Sequence, residues 1–122
     1  MKTIENFEVY RLAMEIGDEV WEICARWDTF SKRTVGGQLV RAADSIASNV
    51  AEGYGRYHYK DRRNYCYYSR GSSFETKTWL VKAGKRGLIS EVELDNLVQM
   101  ISKFQLKLNA YIDSLNRQIR KG

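Results

Sequence analysis

The chain has 122 residues, 43% of them hydrophobic, and it contains no proline. This length fits one domain with enough apolar residues for a core, and the lack of proline favours long helices with short connections over a loop-rich or all-β fold. No apolar run approaches the roughly 18 residues of a membrane span, and acidic residues stand where a signal peptide has its apolar core. We therefore expect a single soluble, cytoplasmic domain, residues 1–122, with no membrane partner.

Charge is unevenly distributed along the chain, whose net charge is +5. Residues 1–28 contain three basic and seven acidic residues, whereas residues 56–86 contain nine basic and two acidic ones. A basic segment of this kind suggests a polyanionic partner.

The first predicted helix runs from about Phe7 to Trp27. Its apolar residues cover a sector nearly twice as wide as the roughly 100° that a surface helix of a monomeric bundle needs. Two interpretations stay open: the helix is wedged deeply into its own bundle, or part of the sector is a subunit interface. In the second case the interface residues are Leu12, Ile16 and Ile23.

Residues 28–34 are polar and are predicted to form the first loop. A second helix then runs to Tyr54, where Gly55 ends it, and its apolar face is mostly small, so a neighbouring helix can approach closely. The opposite side is polar and forms either a binding patch or a hydrogen-bond network, buried or between subunits, that sets the helix register. Its members are Arg41, Ser45, Ser48, Asn49 and Glu52.

The third predicted helix runs from about Tyr59 to Arg86, and Gly87 is its expected C-terminal cap. Glycine inside a helix costs about 1 kcal/mol relative to alanine, so Gly71 is expected to pack closely against the second helix. The predicted core face is Tyr65, Ser69, Ser72, Thr76, Leu80 and Ala83.

Ser90 and Glu93 have the spacing of a capping box, which opens a fourth helix. Its apolar residues repeat every seven positions over more than three heptads, as in coiled-coil packing. Four helices of roughly 20–30 residues with short links predict an all-α, antiparallel up-down-up-down four-helix bundle.

The chain resembles the bacterial four-helix-bundle proteins encoded within intervening sequences of large-subunit ribosomal RNA genes. The resemblance rests on FEVYRLAMEI near the N-terminus, on QLVRAADSIASNVAEGYGR ending at Arg56, and on the later segments YYSRGS and LVKA. The chain departs from the family at Ala47, where proline is common, at Arg62-Arg63, where apolar residues are expected, and at Lys77, where an acid is usual.

The resemblance implies a homo-oligomer, plausibly a pentameric ring, with no established enzymatic activity. The family is also similar to the accessory variability proteins of diversity-generating retroelements, which are basic pentameric bundles that bind nucleic acid and a reverse transcriptase. That similarity implies RNA or DNA, and a nucleic-acid-processing protein, as partners.

A basic face on the third helix is the strongest candidate surface. Arg63, Arg70 and Lys77 recur every seven residues and span roughly 21 Å of one face. Cations neutralise phosphates, and flanking aromatic rings can stack on unpaired bases. The predicted nucleic-acid-binding residues are Arg56, Lys60, Arg63, Arg70, Lys77, Lys85 and Arg86.

Two other interpretations of this basic face stay open. It could dock an acidic protein partner, or it could be a solvated face or one that forms salt bridges to the acids of the first helix in the same or a neighbouring subunit.

No pattern in the chain indicates catalysis. His58, the only histidine, has no positioned partner, and Cys24 and Cys66 read as buried reduced thiols. The inward Glu and Glu-x-x-His pairs of bundle metal sites are missing, as are glycine-rich phosphate loops. We therefore expect no enzyme, no metal site and no cofactor.

Overall fold

The computed structural model describes residues 3–122, and within that range the chain is all-α, with four long helices and no strand. Helix α1 comprises Glu8–Ala25. Helix α2 is built from three consecutive pieces without a break, which are Thr29–Ser31, a π-helical segment Lys32–Gly36, and Gly37–Tyr54. Helix α3 comprises Tyr59–Lys85 and helix α4 comprises Glu91–Lys121. None of these helices is long and apolar enough to cross a membrane.

The predicted first loop, residues 28–34, is wrong, because the chain is already helical from Thr29. The Asp28 side chain accepts a hydrogen bond from the Ser31 backbone N–H at 3.3 Å and thereby caps the new helix. Polar residues at a helix start resemble a loop in sequence, since an N-cap uses the same side chains as a turn.

The helix ends predicted around α3 and α4 are confirmed. Gly87 takes a φ of +74°, a left-handed conformation that glycine adopts without strain. Ser90 and Glu93 form both hydrogen bonds of the capping box. The repeating apolar residues of α4 are buried, namely Leu97, Ile101, Phe104, Leu108, Ile112 and Leu115.

Each helix packs on its neighbours in the chain, and α4 also packs on α1. The pairs that join α3 to α4 are Ser73–Gln105, Arg70–Asn109 and Arg63–Asn116. The pairs that join α1 to α4 are Arg26–Glu93 and Lys107–Glu8. From one residue pair to the next, the residue number on one helix rises while the number on the other helix falls. Helices α1 and α3 do not form a closely packed pair within the described residues.

The predicted interface residues on α1 lie in the core of the chain. Ile16 is 0% exposed and Ile23 is 5% exposed, and Leu12 is half-buried against the same core. The assignment of Ile16 and Ile23 to a subunit interface is therefore wrong, whereas that of Leu12 stays a prediction. The wide apolar sector reflects a helix wedged between α2 and α4. The exposed apolar side chains of α1 are instead Met14 and Trp21.

Helix α3 presents small side chains to α2. The buried Ser69 hydroxyl donates to the Ile46 carbonyl at 2.8 Å, which satisfies a buried polar group across the helix pair. Ser73 and Thr76 are also fully buried, and each hydroxyl donates to a carbonyl within α3. Cys66 and Ser73 are buried where the sequence predicted Tyr65 and Ser72, which are half-buried.

The close approach of α2 and α3 occurs at Gly53 and not at Gly71. A Cβ added to Gly53 would lie 2.8 Å from the Tyr65 Cβ and 3.2 Å from the Arg62 carbonyl oxygen. A Cβ added to Gly71 would meet nothing within 4 Å, so the expectation that Gly71 packs against the second helix is wrong.

The two glycines should respond oppositely to alanine. Gly71→Ala should raise the free energy of unfolding by about 1 kcal/mol, because alanine has the higher helix propensity and its methyl group meets no neighbour. Gly53→Ala should lower it by about 1–3 kcal/mol, because the backbone of Arg62 cannot move aside cheaply. Urea unfolding of both variants measures this. A stabilising Gly53→Ala would contradict the described α2–α3 packing.

Candidate functional site

Arg63, Arg70 and Lys77, which we call the basic stripe, lie along the side of α3 next to α4. The Arg63 Nη1 donates to the Asn116 Oδ1 at 2.9 Å, and the Arg70 Nη1 donates to the Asn109 Oδ1 at 3.0 Å. Lys77 is exposed one heptad further on. Two of the three cations are therefore held in place by amide side chains of α4.

Tyr67 lies between the two arginines of the stripe. The Arg70 Cζ lies 5.1 Å from the centre of the Tyr67 ring and the Arg63 Cζ lies 5.8 Å from it. Both distances are within the roughly 6 Å range of cation–π attraction. The ring is 38% exposed, so its outer part is open to solvent beside both guanidinium groups.

No carboxylate forms an ion pair with the basic stripe within residues 3–122. The ion pairs in that range are Arg26–Glu93, Arg56–Glu52 and Lys107–Glu8. Amide oxygens accept a hydrogen bond but carry no charge, so the contacts with Asn109 and Asn116 do not offset the positive charge of the stripe. The acidic residues of α1 do not pair with it, because α1 and α3 are not packed on each other.

Arg63 has an unsatisfied polar atom. Its Nε is buried and has no hydrogen-bond partner among the described residues. An unpaired buried N–H destabilises a fold by about 1–3 kcal/mol, so this position favours an apolar residue on stability grounds. Arg63 therefore places an energetically unfavourable cation on this face.

The other predicted nucleic-acid-binding residues divide into two groups. Lys60 and Lys85 are exposed on α3, and Lys85 lines a shallow groove together with Lys77. Arg56 lies before α3 and donates to the Tyr65 hydroxyl at 2.9 Å. Arg86 lies beside Trp79 and Gln38, toward α2. The structure therefore does not bring Arg56 and Arg86 to the stripe.

The predicted polar network on α2 is not one network within the chain. The Ser45 hydroxyl donates to the Arg41 carbonyl, and both Ser48 and Asn49 donate to the Ser45 carbonyl. Arg41 itself bonds to Gln38, and Glu52 pairs with Arg56 at 3.6 Å. These are bonds within one helix and its end, as expected for serine and asparagine at mid-helix positions, and they do not set the register of neighbouring helices.

The two cysteines and the single histidine are the candidate reactive side chains of the sequence. Burial raises the pKa of the Cys24 and Cys66 thiols to about 11, so both are protonated and weakly nucleophilic at neutral pH. The His58 ring lies edge-on to Tyr57 at 5.0 Å. Among the described residues, no group of three His, Cys, Asp or Glu side chains could hold a metal ion.

The sequence patterns did not single out Asn109 and Asn116, although these residues position the stripe. A signal was present, since they are seven residues apart on α4, as Arg63 and Arg70 are on α3. To recognise that match, one must know which residues of α3 lie opposite which residues of α4. The periodicity of a single helix does not give this register.

A model of the 23S rRNA-intervening sequence protein family matches residues 5–110. The chain is also similar to the solved structure of a protein with unknown function from the S23 ribosomal protein family of Bacteroides thetaiotaomicron, with a TM-score of 0.77 and 16% identity over 85% of this chain and 97% of that chain. At this identity the likeness shows the fold alone. No curated protein matches the sequence. Because the family model spans most of the chain, the resemblance is confirmed, and the chain belongs to the 23S rRNA-intervening sequence protein family.

Proposed function

We propose that this protein is a non-enzymatic nucleic-acid-binding protein that holds structured RNA through the phosphates that lie along the basic stripe. One observation carries the proposal. Arg63 and Arg70 are fixed by the neutral amides of Asn116 and Asn109, and no carboxylate pairs with either within residues 3–122. Their charge is thus positioned but not neutralised, which is the condition that a phosphate ligand needs.

The mechanism is electrostatic positioning. A guanidinium has five N–H donors, and each of these arginines commits one to an amide, so further donors remain for phosphate oxygens. Neutralising phosphates releases condensed counterions, so the affinity should fall steeply with salt concentration. Contacts of this kind give modest sequence preference, because phosphates are common to all sequences.

The family name supplies an RNA context, since it refers to an intervening sequence of 23S rRNA. That context makes structured RNA the first ligand to test, before DNA, and we expect the protein to act in the cytoplasm. A nucleic-acid-processing protein that acts on the same RNA is the corresponding protein partner.

We also infer that the four helices run up-down-up-down and that the protein forms a homo-oligomer. The up-down-up-down order is supported by the contacts between neighbouring helices, in which the residue numbers of the two helices run in opposite directions. Met14 and Trp21, which are 42% and 61% exposed and lie seven residues apart on α1, support the homo-oligomer. Association of copies through this side would leave the stripe open, because α1 and α3 do not pack on each other.

A second candidate function is the docking of an acidic protein helix. Phe74 is 56% exposed and Val81 is 38% exposed, and together with Lys77, Lys82 and Lys85 they line a shallow groove of about 390 Å³. An amphipathic helix could place apolar residues on Phe74 and Val81 and acids on the lysines. Such a complex would form at a fixed stoichiometry and would resist nuclease.

Charge reversal on the stripe tests the proposed function. Arg70→Glu/Lys77→Glu should weaken the binding of a labelled hairpin RNA by about tenfold or more, and should reduce the slope of log affinity against log salt by about 2, since each phosphate contact contributes about 0.7–0.9. Fluorescence anisotropy over a salt series measures both quantities.

Lys32→Glu/Arg33→Glu is the matched control for this experiment. It makes the same charge change at two exposed residues near the start of α2 and should leave the slope nearly unchanged. Equal losses in the two double variants would show that only net charge matters and would contradict the assignment of the stripe.

The homo-oligomer is tested by light scattering at micromolar concentration. The wild type should have a mass that is a multiple of the 14.2 kDa chain, and Trp21→Glu should reduce it, because a buried unpaired carboxylate destabilises an interface. Val92→Glu, at an apolar residue of α4 that is 80% exposed, is the control. A single 14.2 kDa species for the wild type would exclude the oligomer.

A further inference from the structure

A second group of aromatic and basic side chains lies at one end of the bundle, where α2 leads into α3. We call this group the Arg–Tyr corner, and it consists of Arg56, Tyr57, Tyr59, Arg62, Tyr65 and Tyr68. Tyr57 is 88% exposed, Tyr68 is 58% exposed and Tyr59 is 43% exposed. Phenol rings this open to solvent bury little surface within the chain, so packing of the bundle does not account for them.

The two arginines of the corner are fixed in place. The Arg56 Nη2 donates to the Tyr65 hydroxyl at 2.9 Å, and its Cζ lies 4.9 Å from the Tyr65 ring centre. The Arg62 Nε donates to the Arg56 carbonyl at 2.7 Å, and its Cζ lies 5.8 Å from the Tyr59 ring centre. Tyr68 stands edge-on to Tyr65 at 5.5 Å. The corner thus contains two ordered cations, each against a tyrosine ring, with further exposed rings around them.

We propose that the Arg–Tyr corner binds unpaired nucleotides, so that the preferred ligand is an RNA in which a single-stranded segment adjoins a duplex. This inference rests on the proposed function and extends it to a ligand class. Aromatic faces accept any base by stacking, and neighbouring cations neutralise the adjoining phosphates. Sequence-specific and structural recognition of RNA commonly uses such splayed bases.

The position of the corner agrees with this ligand. Tyr59 and Arg63 are four residues apart and so share a face of α3, which places Tyr59 beside the basic stripe. Arg56, Tyr65 and Tyr68 lie further round the start of α3, so a single strand that leaves a duplex on the stripe would reach them past Tyr59.

A protein partner is the competing occupant, because tyrosine and arginine are also enriched at protein interfaces. The charge of the corner favours RNA: residues 56–62 contain three basic residues and one acidic residue, and although Glu52 pairs with Arg56 at 3.6 Å, Arg62 has no carboxylate partner among residues 3–122. Of the exposed rings, Tyr59 lies against the Arg62 guanidinium, and Tyr68 lies against the Tyr65 ring that Arg56 contacts, an alternation of rings and cations that suits separate bases.

The test compares two labelled RNAs by fluorescence anisotropy, a blunt duplex and the same duplex with a single-stranded extension of about six uridines. The wild type should bind the extended RNA about tenfold or more tightly than the blunt one, since stacking on aromatic residues strengthens binding by about this factor per base. Tyr57→Ala/Tyr68→Ala should abolish the preference while retaining the affinity for the blunt duplex.

Two further variants separate stacking from other effects. Tyr57→Phe/Tyr68→Phe keeps both rings and should keep the preference. Phe30→Ala removes a ring that is 75% exposed near the start of α2, outside the corner, and should change nothing.

Each remaining outcome has one meaning. Equal binding of both RNAs by the wild type, or an unchanged preference in the alanine variant, would overturn the corner assignment and leave the basic stripe intact. The corner assignment would also be overturned if Tyr57→Ala/Tyr68→Ala weakened the binding of both RNAs equally. Absence of binding to either RNA by the wild type would overturn the proposed function itself.

Discussion

The close packing of α2 against α3 is the constraint on which the rest of the structure depends. At Gly53 the two helices leave no room for a methyl group, and the Ser69 hydroxyl bonds directly to the α2 backbone. Such an approach requires small residues on the inner face of α3, and serine, threonine and cysteine occupy it. The large and charged residues of α3 must then lie outward or toward α4. The exposed cations and rings are thus a consequence of how the core is built.

This arrangement also explains why the basic stripe forms no ion pair with the acids of α1. Among the acids of α1, Asp18 lies beside Asp44 of α2, and the ion pairs of α1 and its C-cap go to Lys107 and Glu93 of α4. The arginines of α3 meet asparagines instead. An exposed salt bridge contributes only about 0–1 kcal/mol, so the fold loses little by lacking these pairs. The fold thereby retains a positively charged surface along the basic stripe of α3.

The features encoded locally were readable in the sequence. The all-α class, the long α4 repeat, the capping box at Ser90 and the helix end at Gly87 each depend on residues within a few positions of one another. The seven-residue spacing of Arg63, Arg70 and Lys77 likewise placed them on one face. Local periodicity decides which side of a helix is apolar or basic.

Features that depend on the neighbouring helix were not readable in this way. A wide apolar sector on α1 is consistent with either two neighbours in the chain or another subunit, and only the position of α4 shows that Ile16 and Ile23 are core. Gly71 looked like a packing residue because glycine is unfavourable in a helix, yet it faces open space. The pairing of Arg63 with Asn116 and of Arg70 with Asn109 needs the α3–α4 register.

The stripe also shows where stability and the proposed function oppose each other. The buried Nε of Arg63 has no partner within residues 3–122, and an apolar side chain would remove that unfavourable N–H. Natural proteins tolerate such local costs at binding sites. The proposed phosphate contact would account for a cation at this position, whereas packing does not.

The most direct measurement of the central claim is the RNA affinity of Asn109→Asp/Asn116→Asp. These changes are nearly isosteric and would turn both amide contacts into ion pairs, so folding stability should be equal or higher. If positioned but uncompensated arginines bind phosphates, hairpin RNA affinity should fall by about tenfold or more, and a control with the same added charge, Asn96→Asp/Gln99→Glu, should lose far less. Unchanged affinity in the Asn109→Asp/Asn116→Asp variant would contradict the claim that the neutral amides leave these arginines available to RNA.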